Sequence, residues 1–167
     1  MKFLELAQKR YSVRDYEDRP VEDEKLKQIL EAARLAPTGA NRQTFQLIVI
    51  HTAGKQDELR PIYNRDWFVH APVIICACAT ITEGQPYREG SAYRNVAIVM
   101  DHLILAATDL GLGTCWIGAY DADAARRILG IPDGVYPVVF AAIGYAKDQP
   151  KPKARKPIEE LIRYEHW

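Results

Sequence analysis

The chain has 167 residues, enough for one folded domain with a sizeable hydrophobic core. Lysine plus arginine and aspartate plus glutamate both number 22, so net charge indicates neither a nucleic-acid nor an anionic-membrane partner. Hydrophobic residues make up 48%, which argues against a disordered chain. The longest apolar stretch, 96–107, is too short to span a bilayer, and no signal-peptide pattern follows Met1. We therefore expect a soluble, cytoplasmic protein.

The three cysteines and four histidines predict no metal site. Cys76 and Cys78 lie in a β-like stretch, where we expect the alternation of side chains to prevent them from binding one metal ion together. Cys115 is isolated, and the histidines show no ligand spacing. Reduced core thiols are the expected state.

In the first half of the chain, spacing and composition predict three helices and one strand. Leu26, Ile29, Leu30 and Ala33 recur at helical spacing, and Pro37 ends that helix. The predicted helices cover 3–9, 21–36 and 55–64, and the predicted strand covers 45–51.

In the second half, apolar β-rich stretches alternate with helical ones. The stretch 73–79 has no polar face and predicts a strand covered on both sides. After a polar connection over 80–89, residues 91–110 predict a helix that is apolar nearly all round, as in a fold centre or a subunit interface. Pro137 places the start of the last strand at an edge or a bulge. The remaining predicted elements are a strand or turn over 114–118, a helix over 122–129 capped by Asp121 and closed by Gly130, a strand over 135–144 and a short helix over 158–164.

These elements interleave around one sheet, which predicts an α+β or α/β domain. No linker or internal repeat divides the chain, so 1–167 is expected to form one domain. Its end, 147–167, is an extended basic tail containing three prolines.

Two basic segments are candidates for binding a phosphate. Arg10 and Arg14 flank the hydroxyl of Ser12, and guanidinium groups bind phosphate oxygens in pairs. Lys153 and Arg155, two apart in the extended tail, would point the same way and could close on a phosphate. Taken singly, these segments are better explained as a solvated loop and a solvated linker.

The loop 37–43 is a candidate for reading the edge of a heterocycle. Gly39 allows close backbone approach, and Asn41 and Gln43 offer both hydrogen-bond donors and acceptors. The alternative is a helix-to-strand connector made of turn-forming residues.

The glycine-rich stretch 111–118 is not a dinucleotide-binding fingerprint. It follows a helix rather than a strand, and Trp116 occupies the place of the last glycine. Its backbone from Trp116 to Gly118 could run against a flat ligand, or its glycines could simply form a helix cap and a tight turn.

Together the four segments resemble the nitroreductase family of FMN-dependent NAD(P)H oxidoreductases, in the family's order and over nearly the whole chain. They are Arg10-Tyr-Ser-Val-Arg14, Ala36-Pro-Thr-Gly-Ala-Asn-Arg-Gln43, Gly111-Leu-Gly-Thr-Cys-Trp-Ile-Gly118 and Lys153-Ala-Arg155-Lys-Pro157. The resemblance implies an α+β nitroreductase-like fold with a mostly antiparallel central sheet flanked by helices. It also implies an interwoven homodimer with FMN at the subunit interface.

The resemblance assigns the phosphate end of FMN to the basic segments. Arg10, Lys153 and Arg155 would hold the phosphate, Ser12 would bond the phosphate or ribityl end, and Arg14 would reach the N1/O2 edge of the isoalloxazine. A permanent cation there would stabilise the negative charge of the reduced ring.

The ring itself would be lined by three further segments. Pro37, Thr38, Gly39 and Asn41 would come from the other subunit, with Gln43 in the same motif. Trp116, Ile117 and Gly118 would lie near N5, and Asn64 would lie at the pyrimidine edge.

The implied activity is reduction of electron-poor acceptors, such as nitroaromatics or quinones, with NADH or NADPH as donor, by ping-pong hydride transfer through flavin N5. No catalytic residue is expected, because the flavin carries the chemistry. The alternatives are a non-catalytic flavin-binding module, serving as an FMN reservoir or redox-responsive partner, and a structural dimer that has lost its ligand.

The chain departs from the family pattern at two points. Thr38-Gly39 stands where many members have two serines, and Thr44-Phe45 where many have Pro-Trp. The short span between Asn64 and Tyr93 leaves the flavin cleft open, or covered only by 80–89.

Overall fold

The computed structural model describes residues 2–81 and 86–167, without the side chains of 86–89. Its helices are α1 (Phe3–Lys9), α2 (Asp23–Arg34), α3 (Gln56–Leu59), α4 (Asp66–Val69), α5 (Pro86–Asp109), α6 (Ala122–Leu129) and α7 (Ile158–Leu161). Its strands are β1 (Phe45–His51), β2 (Val73–Thr80), β3 (Gly113–Ile117) and β4 (Val135–Gly144). Because 82–85 lie outside the described residues, the expectation that 80–89 covers a cleft is not addressed by the structure.

The four strands form one sheet in the order β1-β2-β4-β3, and every neighbouring pair is antiparallel. Helices pack on both of its faces, which confirms the α+β class and the predicted antiparallel sheet. Side chains alternate along β2, with Ile75 and Ala77 facing one core and Ile74 and Cys76 facing the other. The prediction that this strand is covered on both sides is confirmed.

Helix α5 forms the centre of the first core. Val96, Met100 and Leu103 are fully buried, and the helix contacts α2 and all four strands. It begins at Pro86, five residues before the predicted start. Proline is compatible with the first turn of a helix, because its missing N–H would have no acceptor there.

The long helix predicted over 55–64 is wrong. Helix α3 ends at Leu59 and a separate helix, α4, follows from Asp66. Pro61 accounts for the break, since it has no N–H to donate to the helical ladder. The last helix is also shorter than predicted, Ile158–Leu161, and none of its residues is buried.

Cys76 and Cys78 lie on the same face of β2, contrary to the prediction. Adjacent residues in a strand alternate, so residues two apart share a face, and the two sulfur atoms lie 3.7 Å apart in the second core. The hydrogen bond to Cys78 and burial raise the pKa of Cys76. No cluster of three or more His, Cys, Asp or Glu side chains that could hold a metal ion occurs in the part of the chain that the structure describes.

Several local predictions are confirmed. Asp121 caps α6 by accepting a hydrogen bond from the Ala124 N–H at 2.8 Å, and Gly130 closes the helix in the left-handed region. Pro137 lies at an irregularity in the β2–β4 register, in a part of β4 that β3 does not pair with. No helix of the described ranges is long and apolar enough to cross a membrane.

Gly113, at the start of β3, is a position where a side chain would not fit. A Cβ there would lie 2.5 Å from Val13 Cγ2, and Val13 is fully buried. We expect Gly113→Ala to lower the free energy of unfolding by about 1–3 kcal/mol, because the crowded core must shift. Chemical denaturation measures this change.

Gly90→Ala is the matched control. Gly90 lies in α5, and a Cβ there would make only ordinary contact with the Arg94 side chain, at 3.5 Å. Alanine within a helix should add about 0.5–1 kcal/mol of stability. Equal stability of Gly113→Ala and the native protein would contradict the crowding at Val13.

Candidate functional site

The Arg10–Arg14 segment is an extended chain held against the end of the sheet. Val13 N–H donates to the Thr114 carbonyl at 2.9 Å, and Ser12 forms a parallel bridge with Thr114 in β3. In an extended chain, residues two apart point to the same side. The buried Val13 side chain therefore lies opposite the neighbouring polar side chains, Ser12 and Arg14.

The chain beyond Arg14 is fixed along the residues that follow β4. Lys147 N–H donates to the Asp15 carbonyl and Glu17 N–H to the Tyr145 carbonyl, both at 2.9 Å. Tyr16 forms an antiparallel bridge with Ala146. This pairing brings the N-terminal basic segment beside the start of the C-terminal tail.

The Tyr145 side chain contacts three charged side chains from the next part of the chain. The Tyr145 hydroxyl donates to Glu22 at 2.6 Å and accepts from Lys25 Nζ at 2.8 Å, while the Arg19 guanidinium lies 3.8 Å from the ring centroid. The hydrogen bond from Tyr145 is the largest cause that lowers the pKa of Glu22 to about 2. The Glu22 carboxylate is therefore ionised at neutral pH and keeps its hydrogen bond from the Tyr145 hydroxyl.

The two basic segments line a cleft of about 370 Å³, here called the cationic cleft. It contains five positively charged side chains and one carboxylate, so its field favours an anion. The four residues that the resemblance assigns to the phosphate or ribityl end lie in it, and so does Arg14, which the resemblance assigns to the ring edge. Its lining residues are Arg10, Tyr11, Ser12, Arg14, Asp148, Gln149, Lys151, Pro152, Lys153 and Arg155.

Lys153 crosses the cleft to the N-terminal segment. Its Nζ donates to the Arg10 carbonyl and lies 5.7 Å from the centroid of the Tyr11 ring. Burial, and then the charges of Arg10 and Arg155, lower the pKa of Lys153. The cations therefore repel one another, and an anion bound among them would relieve that repulsion.

Arg14 lies at the border of a second cleft, of about 380 Å³. Its guanidinium carbon is 5.9 Å from the centroid of the half-buried Trp67 ring, within the range of a cation–π contact. This second cleft, here called the aromatic cleft, is lined by Arg14, Asp15, Tyr16, Asp66, Trp67 and His70. Arg14 thus lines both the cationic cleft and the aromatic cleft.

The loop after α2 lies apart from both clefts. It is held by Asn95 of α5, whose side-chain oxygen accepts from the Gly39 N–H and whose amide donates to Thr44, both at 3.0 Å. Thr38 in turn accepts from the Gln43 N–H at 3.0 Å. None of the loop residues assigned to the flavin ring lines the cationic or the aromatic cleft: Pro37, Thr38, Gly39, Asn41 and Gln43.

Three of these loop residues other than glycine have a positive φ: Ala40, Asn41 and Gln43. Such conformations are uncommon for residues with a side chain and occur often at functional sites. The loop therefore has a defined, strained shape rather than that of an ordinary connector.

The other four residues predicted to contact the ring also line neither cleft. Trp116 is 39% exposed, Gly118 is exposed, and the Ile117 side chain is buried in the second core, so only its backbone could face a ligand. Asn64 is exposed and accepts a hydrogen bond from Arg60 at 3.2 Å.

Sequence reasoning missed Asp148, Trp67 and Asn95. The Asp148 carboxylate accepts a hydrogen bond from the Arg14 N–H at 2.9 Å, and the Asp148 backbone carbonyl accepts one from the Tyr11 hydroxyl at 2.8 Å. A signal existed for two of the three, because Asp148 is the one acid in a basic part of the tail and Asn95 adjoins the apolar stretch of α5. Trp67 gave none, since its helix was not predicted.

Comparison with known proteins identifies the family. The model of the nitroreductase family matches residues 7–64 and 60–145. A protein of Methanothermobacter thermautotrophicus named putative NADH dehydrogenase/NAD(P)H nitroreductase is 31% identical over 156 residues, 90% of this chain and 80% of that protein. A Bacillus subtilis protein named FMN reductase [NAD(P)H] is 29% identical and aligns over 93% of this chain and 70% of that protein.

A solved structure gives the same result over the full length. The crystal structure of a nitroreductase family protein from Clostridium difficile 630 superposes with a TM-score of 0.87 at 35% identity and covers 100% of both chains. The structural alignment includes both basic segments, whereas the family model ends before the second one. The chain therefore belongs to the nitroreductase family.

Proposed function

We propose that this protein is an FMN-dependent oxidoreductase that takes electrons from NADH or NADPH and passes them to electron-poor small molecules such as nitroaromatics or quinones. The observation that carries the proposal is the convergence of Arg10, Ser12, Arg14, Lys153 and Arg155 on one cleft, although the first and last of them are 145 positions apart in the chain. The names of the relatives, NAD(P)H nitroreductase and FMN reductase, support the donor and the cofactor.

The cationic cleft fits the phosphate end of FMN. A phosphate with about two negative charges is held best by two or three cations, preferably with paired guanidinium contacts. Arg10, Lys153 and Arg155 supply these charges, and Lys153 is held in the cleft by its bond to the Arg10 carbonyl. The lowered pKa of Lys153 is a further reason to expect a stabilising anion.

FMN, when bound, supplies the atom that accepts and donates hydride, so the protein needs neither a nucleophile nor a general acid. The role of the chain is to bind and orient. Arg14 lines both clefts, and in this proposal it would contact the ring while the other cations hold the phosphate. Its permanent charge would favour negative charge on the pyrimidine side of the ring.

The proposal includes a homodimer with FMN at the subunit interface. The C-terminal tail exposes an unusual number of large apolar side chains, and such surfaces mark interaction sites. They are Ile158 at 66% exposed, Leu161 at 62%, Ile162 at 44%, Tyr164 at 88% and Trp167 at 105%. Helix α7 contributes no buried residue within one chain, so a second copy is the proposed cover. The absence of the loop residues 37–43 from the lining of the two clefts is consistent with their serving the other copy.

The first test is an anaerobic visible spectrum of the purified protein with FMN, before and after addition of NADH or NADPH. We expect a flavin spectrum that bleaches rapidly with one or both nucleotides and recovers when a quinone is added. A sample without nucleotide, kept under the same light, distinguishes reduction by the nucleotide from photoreduction.

Slow bleaching with both nucleotides would favour the alternative, a flavin-binding module that stores FMN or responds to redox state. A protein that retains no flavin spectrum after titration with FMN and removal of the unbound FMN would overturn both proposals.

The second test is sedimentation of the protein with FMN bound. We expect twice the 18.9 kDa mass of one chain, and a shift towards the monomer with loss of FMN affinity when Ile158 and Leu161 are both changed to serine. Tyr136→Ser, which alters an exposed large side chain outside the tail, should stay dimeric. A native monomer that binds FMN tightly would contradict the proposed interface.

A further inference from the structure

Asp148 is the one carboxylate among the residues that line the cationic cleft. Only one of its two carboxylate oxygens has a hydrogen-bond partner among the described residues. Its Oδ2 accepts the Arg14 N–H at 2.9 Å. Its Oδ1 is buried and has no hydrogen-bond partner among the described residues. The backbone of Asp148 is also held in place, because its carbonyl accepts a hydrogen bond from the Tyr11 hydroxyl at 2.8 Å.

A buried carboxylate oxygen without a donor is costly, so its position calls for a physical reason. Five cations share the cleft, yet none of them forms an ion pair with Asp148 among the described residues. Lys153 donates to the Arg10 carbonyl instead, and the Arg14 guanidinium donates to the Ser12 carbonyl at 3.4 Å. The positively charged side chains therefore remain available to bind an anion, and Oδ1 remains available to accept a hydrogen bond from an uncharged donor.

A ligand that binds both the positively charged side chains and Oδ1 must carry an anionic group and, close to it, an uncharged hydroxyl or amide N–H. A second anion beside Asp148 would be repelled, whereas a hydroxyl can donate directly to a carboxylate oxygen. A phosphate joined to a polyol chain has this combination. The ribityl phosphate of FMN is such a chain, so the inference rests on the proposed function.

We propose that Asp148 is a ligand-positioning residue with two tasks. Its Oδ2 fixes the backbone of Arg14, and its Oδ1 accepts a hydrogen bond from a hydroxyl of the polyol phosphate whose phosphate is held by Arg10, Lys153 and Arg155. The same carboxylate thereby sets the distance between the phosphate end of the ligand and the guanidinium of Arg14. It also makes the cleft selective for a hydroxylated chain over a plain alkyl phosphate.

The test compares two ligands on two proteins. The ligands are FMN and a flavin whose phosphate is carried by an unbranched alkyl chain of the same length without hydroxyls. The proteins are the native chain and Asp148→Asn. Asparagine keeps an oxygen for the Arg14 N–H but replaces the second oxygen with a donor, which cannot accept from a hydroxyl.

We expect the native protein to bind FMN about tenfold or more tightly than the alkyl analogue, the size of one hydrogen bond to a charged group. In Asp148→Asn the preference should fall to about twofold, chiefly through weaker FMN binding. Binding of the alkyl analogue should hold or improve, since a negative charge has left the cleft. Flavin fluorescence quenching gives all four dissociation constants.

Asp18→Asn is the charge control, because Asp18 is exposed and lines neither cleft. It should leave the preference unchanged. A purely structural role of Asp148 would weaken both ligands by the same factor and keep the native preference, which would overturn the inference. Equal binding of both ligands by the native protein would overturn it too. Failure of the native protein to bind FMN at all would instead refute the proposed function.

Discussion

The site depends on backbone hydrogen bonds that hold an extended N-terminal segment against the end of the sheet. Val13 pairs with Thr114 of β3, and Glu17 pairs with Tyr145 just beyond β4. Without these bonds, Arg10 and Arg14 would be mobile side chains on a solvated loop. With them, the segment has a fixed side that carries polar groups and a fixed side that is buried in the core. The crowding of Gly113 against Val13 shows how closely the segment is packed.

The same pairing explains how a largely neutral chain produces a strongly cationic cleft. Residues 145–147 hold the start of the C-terminal tail beside the N-terminal segment, so basic residues from both ends of the chain line one cavity. Burial, and then repulsion by Arg10 and Arg155, lower the pKa of Lys153, and this repulsion disfavours the arrangement in the absence of an anion. A bound phosphate would therefore stabilise the folded protein as well as fill the site. The single carboxylate, Asp148, fixes Arg14 without cancelling the positive charges through an ion pair.

Sequence reasoning predicted the elements whose signals are local. The cap at Asp121, the two-sided apolar pattern of β2 and the irregularity at Pro137 were each read from a few neighbouring residues and were confirmed. It failed where local signals compete, as at Pro61, and where a periodicity was misapplied, as for the cysteines of β2. The basic segments were recognisable as a pair only through the family resemblance, because no local pattern reports that residues so far apart in the chain share a cleft. Asp148 was missed for the same reason, since both of its contacts reach back more than 130 residues.

The central claim is that the cationic cleft binds the phosphate of FMN. The most direct measurement is the ratio of the dissociation constants of riboflavin and FMN, determined by fluorescence quenching at a fixed, moderate salt concentration. The two ligands differ only in the phosphate, and two or more charge-assisted contacts predict that FMN binds at least about 100-fold more tightly. Added salt should reduce the difference, because part of the cleft is open to solvent. Equal affinities for the two flavins would contradict the account.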